Sequence, residues 1–184
     1  LLLIVALYVV GSSFYRTTFD TAFHCMYLNS RGEADVNSAP IEKDFAEWMQ
    51  FGKKELVVTE TAFVSFDEKA TEYSYAMMAK ITALVMAHDL DVMIGDTEST
   101  DHYASIGGFE NLETILPPDV LALVQDRLYY ARDEDGKTYA CAIDLSGTEF
   151  AEVSNLSQEP PLMGLVAGAE RTENSIALIR YIFD

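Results

Sequence analysis

The chain has 184 residues, a length that holds one domain with a sizeable core. Apolar residues make up 49% of it, which excludes a disordered tail, and 12 Lys and Arg stand against 30 Asp and Glu for a net charge of −18. The acidity is concentrated between Asp89 and Glu159, where the only bases are Arg127, Arg132 and Lys137. Such a surface repels phosphate backbones and excludes nucleic acid as a partner.

The chain opens on an uncharged apolar run, Leu1–Val10. A bilayer span needs about 20 such residues, so residues 1–16 are read as the outer end of a transmembrane anchor. The single α/β domain then covers 17–184, on the extracytoplasmic side of a cell membrane. A signal-peptide core and an ordinary buried strand are the alternatives. The continuous apolar run Phe19–Asn29 predicts a strand. Pro40 opens a helix with Ile41, Phe45, Trp48 and Met49 on one face and Gly52 as its C-cap. Lys54–Phe66 is rich in β-branched and aromatic residues and predicts a strand or a bent strand pair.

From Thr71 to Ala87 the residues Tyr73, Met77, Ile81, Leu84, Val85 and His88 trace one helical face. Asp91–Ile94 then predicts a strand covered on both faces. A helix over Asp101–Leu116 is interrupted at Gly107–Gly108, and a second begins at Pro117–Pro118. Tyr129–Leu145 predicts two strands around the Asp135–Gly136 turn. Pro161–Ala169 predicts another buried strand, and Thr172 caps a last helix over Glu173–Phe183. Strands alternating with helices predict a three-layer αβα domain with a mixed, mostly parallel sheet.

Several chemistries fail on spacing. An EF-hand around Gly136 would need a carboxylate at its first position and Glu at its twelfth, but Ala131 and Ala142 stand there. Cys25 and Cys141 have no CxxC spacing and are expected to remain unbonded thiols. No G-x-S-x-G or Gly-rich phosphate loop occurs, and His24 sits in a strand core without an evident partner. Asn155-Leu156-Ser157 matches a glycosylation sequon. Tyr103, Tyr129, Tyr130 and Tyr139 either line a cleft or, the commoner case, fill a half-buried core.

The cluster His88, Asp89, Asp91, Asp96, Glu98, Asp101 and His102 straddles the predicted strand. Its two ends lie roughly 17–20 Å apart, so no single metal can collect both. Asp96, Glu98, Asp101 and His102 could converge if a helix begins near Thr97. Acidic residues in a first turn also have a simpler role, as partners of the helix dipole.

Four segments in order, Ala83–Asp96, Ala104–Leu116, Asp135–Gly147 and Pro161–Phe183, resemble the extracellular solute-binding proteins of bacterial ABC importers, the type II periplasmic-binding fold. The resemblance covers the last 110 or so residues. It implies a strand ending at a ligand cleft, a hinge-like strand over Asp135–Gly147, and a return strand and helix. The family has a second lobe beyond its hinge strand. Here Ser146–Glu159 is too short for one, which implies a single lobe with an open crevice. The candidate ligand residues are Asp96 and Thr97 at the strand end and Tyr139 and Asp144 on the hinge-like strand. No catalytic residue, metal or cofactor is expected. The function so implied is a membrane-anchored, non-enzymatic solute-binding module that serves an importer or senses a ligand, with a small solute or an importer protein as partner. The alternatives are a metal-dependent surface hydrolase using Asp96, Glu98, Asp101 and His102, and a structural surface domain completed by a protein partner.

Overall fold

The computed structural model describes residues 19–30, 35–67 and 70–184. Six strands form one mixed sheet: β1 (Asp20–Leu28), β2 (Glu55–Ala62), β3 (Val92–Gly95), β4 (Leu128–Arg132), β5 (Thr138–Asp144) and β6 (Leu162–Leu165), in the order β2-β1-β3-β6-β5-β4. The β2-β1-β3 half is parallel, and the three pairings from β3 to β4 are antiparallel. Helices cover both faces, giving the α/β, three-layer architecture that the alternation of elements predicts.

The pleat sends successive residues of a strand to opposite faces. Phe23, Cys25 and Tyr27 of β1, with Val92 and Ile94 of β3, build one core. It is closed by α1, a π-helical turn Pro40–Phe45 running into α-helical Ala46–Trp48, by α5 (Pro118–Val124) and by α7 (Thr172–Phe183). Met26, Leu28 and Met93 build the other core under α2 (Glu72–Met86) and α3 (Thr97–Ser105). Two short helices, α4 (Leu112–Ile115) and α6 (Glu149–Val153), follow β3 and β5 respectively. Burial on both faces is why these strands read as unbroken apolar runs. Cys25 and Cys141 belong to opposite faces and are both free, buried thiols; burial pushes both up, Cys141 to about 12.

Three local expectations are corrected. Trp48, 48% exposed, lies at the rim of its helix's apolar face, stacked on Phe45, and Tyr73, 51% exposed, lies on the outer side of its own. Helical spacing locates a face only to within a residue or two, and Ser74 fills the inward position that Tyr73 was assigned. Gly52 does not end α1: Gln50 takes the left-handed conformation there, with φ 58°. Thr172 does not cap α7 either, since its hydroxyl donates to the Ala169 carbonyl at 2.8 Å. The transmembrane expectation is corrected as well. Among the described residues no helix is long and apolar enough to cross a membrane, and residues 1–16, on which the anchor was placed, lie outside them.

Gly164 lets the Phe109 ring lie directly against β6 where the strand passes between β3 and β5. A Cβ there would lie 2.5 Å from the Phe109 ring and 3.1 Å from the Cys141 carbonyl oxygen. Gly164→Ala is expected to cost about 1–3 kcal/mol by overpacking. Adding Phe109→Leu should recover part of that loss in denaturant titrations; independent, additive losses would show that the ring is not the obstacle.

Candidate functional site

Strand order 2-1-3 makes a topological switch point between β1 and β3. From β1 the chain crosses over α1 to β2 on one side, then returns over α2 to β3 on the other. Open α/β sheets bind ligands outside the carboxyl ends of their strands at such a point. Here those ends are held together by Asn29. Its amide nitrogen donates to Asp96 Oδ2 at 3.1 Å and to Ser99 Oγ at 3.0 Å, and its Oδ1 accepts from the Val64 amide at 2.8 Å. One side chain thereby ties the ends of all three parallel strands. Asn29 itself has φ 56°, a conformation asparagine tolerates better than most residues. An asparagine closing an apolar strand was the available signal, and the sequence reading did not use it.

Asp96 caps α3, its Oδ1 accepting from the Ser99 amide at 2.8 Å. Above Asn29 and Asp96 opens a cleft of about 440 Å³, lined further by Val64, Ser65, Tyr73 and Glu98. Its size falls within the range of small-ligand sites. Asp96 and Glu98 lie at the first turn of α3, where they offset the positive pole of the helix. No Lys or Arg lines the cleft among the described residues, so it favours neutral polar or cationic groups over anions.

The four candidate ligand residues do not form one site. Asp96 is on the cleft, and Thr97 begins α3 beside it. Asp144 lies at the same sheet edge but across β6, because Gly95 pairs with Leu162 and Leu162 with Asp144. Two strand spacings, about 10 Å, separate them. Tyr139 is at the other end of β5, roughly 17 Å from Asp144 at strand rise. It is buried, and its hydroxyl donates to the Ala104 carbonyl at 3.2 Å. The tyrosines likewise disperse: Tyr129 donates to Asp101 and Tyr130 to Glu113.

The acidic stretch around β3 separates into two ends with different work. At the amino end Asp91 is fully buried and accepts from the His24 amide at 2.7 Å and Arg171 Nε at 2.8 Å. Arg171 also donates to Asp89 at 3.0 Å, and His24 Nδ1 donates to the Asp89 carbonyl at 2.7 Å. On its far side His24 Nε2 is 3.3 Å from Glu60, which pairs with Lys80. At the carboxyl end Asp101 accepts from Tyr129, and His102 stacks on Phe66 at 3.9 Å, its imidazole lowered by burial against an opposing pull from Glu98. Asp96, Asp101 and His102 therefore face three different partners. No group of three or more metal-ligating side chains converges among the described residues. The sequon asparagine, Asn155, takes the left-handed position after α6, with φ 54°, and its amide donates to the Asp35 carbonyl.

Asp96→Ala removes both a cap and the link to Asn29, so it is expected to cost about 1–2 kcal/mol. Asp96→Asn, which keeps an acceptor oxygen, should cost less. Thermal melts of the two variants measure the difference, and equal melts would assign Asp96 no capping role. Comparison with protein-family models, curated proteins and solved structures finds no match for the chain.

Proposed function

We propose that the chain is a non-enzymatic solute-binding module of one lobe, taking a small polar solute in the cleft at the β1/β3 switch point. The observation that carries it is the coincidence of that cleft with the point where Asn29 joins three strand ends. Hydroxyl, amide and carboxylate groups line it beside the exposed ring of Tyr73, a mixture suited to hydrogen-bonding a solute and stacking on its apolar face. Among the described residues no hydrogen-bonded nucleophile–histidine pair adjoins it: the Ser65 hydroxyl donates to the Asp67 carboxylate, His102 is stacked on a phenyl ring and His24 is enclosed at the opposite end of the sheet. Catalysis needs such groups within hydrogen-bond reach of one another. A lobe of this kind serves an importer or a sensor by holding solute for a second protein.

The test is amide chemical-shift mapping of the whole chain with millimolar neutral sugars, amino acids and amines. Saturable shifts confined to Asn29, Ser65, Tyr73 and Glu98, abolished by Ser65→Trp, are expected. Shifts absent with every solute, or hydrolytic turnover dependent on an added divalent metal and lost with Asp101→Ala, would refute it. The outer face of α2 favours a second role, as a surface completed by a protein partner: Tyr75 and Met86 stand 58% and 77% exposed there.

A further inference from the structure

A second concavity, of about 290 Å³, lies on the other face between α1, α6 and α7. Phe150, Val153, Tyr181 and Ile182 supply its apolar and aromatic groups, and with two carboxylates, Asp44 and Glu149, beside them its exposed lining is more polar than apolar. Burial raises the Tyr181 phenol, and the charges of Asp44 and Glu149 raise it further, so both carboxylates act on one hydroxyl from two different helices. Trp48 lies one turn beyond Asp44 on α1, half exposed, with its ring centroid 5.9 Å from that of Tyr181. The turn of α1 that presents Asp44 is π-helical, a distortion found frequently at functional sites.

Among the described residues Asp44 and Glu149 enter no salt bridge. Lys43, next to Asp44 in the chain, forms no salt bridge with it, and Arg180 pairs with Asp119 at 2.6 Å. Arg127 donates to the carbonyls of Asp144 and Ser146 and lies 5.6 Å over the Phe183 ring. An anion is repelled from such a place. A hard divalent ion seeks six or more oxygens and gains nothing from the aromatic rings and the branched alkyl chains of Val153 and Ile182. A cation carried on an alkyl stem satisfies both parts, its charge held by the carboxylates and aromatic faces and its stem by the apolar wall.

We infer that this groove binds an organic cation of the alkylguanidinium or alkylammonium class. The volume admits one group of arginine or lysine size. The site is separate from the switch-point cleft and does not depend on it.

Trp48 is the sole tryptophan, and its fluorescence and indole N–H signal report on the groove through Tyr181, against which its ring packs. The whole chain is titrated at low ionic strength with agmatine, with the peptide Gly-Gly-Arg-Gly-Gly amide, and with the same peptide carrying citrulline. A saturable response to the cationic probes is expected, with citrulline at least about tenfold weaker. Asp44→Asn combined with Glu149→Gln should weaken the cationic probes by roughly tenfold or more, with unchanged circular dichroism, while Tyr73→Ala leaves them unaffected. Tighter binding of agmatine identifies a free solute as the source of the cation, and tighter binding of the peptide identifies a partner's side chain. Equal responses to arginine and citrulline peptides, or no saturable response to either cation, would overturn the assignment. So would a response indifferent to the double substitution in folded protein; if that variant does not fold, the citrulline comparison on the unaltered chain decides.

Discussion

Arg171→Ala is expected to lower the stability of the fold by about 3–5 kcal/mol, the cost of stranding a buried charge. Asp91 is fully buried at the amino end of β3, and Arg171 supplies both its countercharge and one of its two hydrogen bonds to Oδ2. Burial raises the Asp91 carboxyl, while the Arg171 hydrogen bond and charge and the His24 amide draw it back. A carboxyl raised in the folded state adds stability that is fully present below its unfolded pKa, about 3.9, and is lost as pH rises through the folded value. Removing Arg171 raises the folded value further, so the loss reaches higher pH. The deficit of the variant relative to the parent should therefore be largest near neutrality and shrink as pH falls toward 4. Asp91→Asn in the same background should recover part of it, because the amide oxygen still accepts from His24. Denaturant titrations across this range decide; a deficit under about 1 kcal/mol, or one indifferent to pH, would mean that water reaches Asp91.

Phe45→Ala is expected to cost a similar 3–5 kcal/mol, by cavity formation. Phe45 is fully buried and stands at the hub of an aromatic cluster, with ring centroids 5.3 Å from Phe23, 5.6 Å from Tyr181, 6.1 Å from Phe51 and 6.2 Å from Trp48. The neighbour on β1 cannot readily move in to refill the space, because Phe23 is held by its pairing with Val57 of β2. Phe45→Leu should cost distinctly less. The Trp48 emission should shift to the red in the alanine variant even where it remains folded, as its stacking partner is gone. An alanine variant within 1 kcal/mol of the parent would show that α1 packs loosely, contrary to the geometry.

Fold class was legible in the sequence because it rests on segment-level patterns. The runs in Phe19–Asn29 and Val92–Ile94, too continuous for a half-exposed strand, announced a sheet covered on both faces, and Thr71 before the Ser74 amide marked the start of α2. The open conditional of a helix near Thr97 was met, with Asp96 as its cap. Finer orientation was not legible: Tyr73 faces outward because Ser74 takes the inward position at Ser65, where its hydroxyl meets that residue's amide and carbonyl.

The candidate site divides the same way. That acids bracket β3 is written in the order of residues, and that one metal cannot hold both groups follows from strand rise alone. Which partner each acid meets depends on strand order and on helices far away in the chain: Arg171 reaches Asp91 across 80 positions, and Asn29 reaches Asp96 across 67. Tyr139 and Asp144 share a strand, and only the pairing of β5 with β6 shows that Asp144 sits at the sheet end that carries the cleft, two strands from it, and Tyr139 at the far end. The groove under Asp44 and Glu149 joins residues from three helices with no common motif. Local periodicity is set by backbone geometry over a few residues. The meeting of distant side chains is set by how whole layers pack to bury their apolar faces, and that is settled only when the chain has folded.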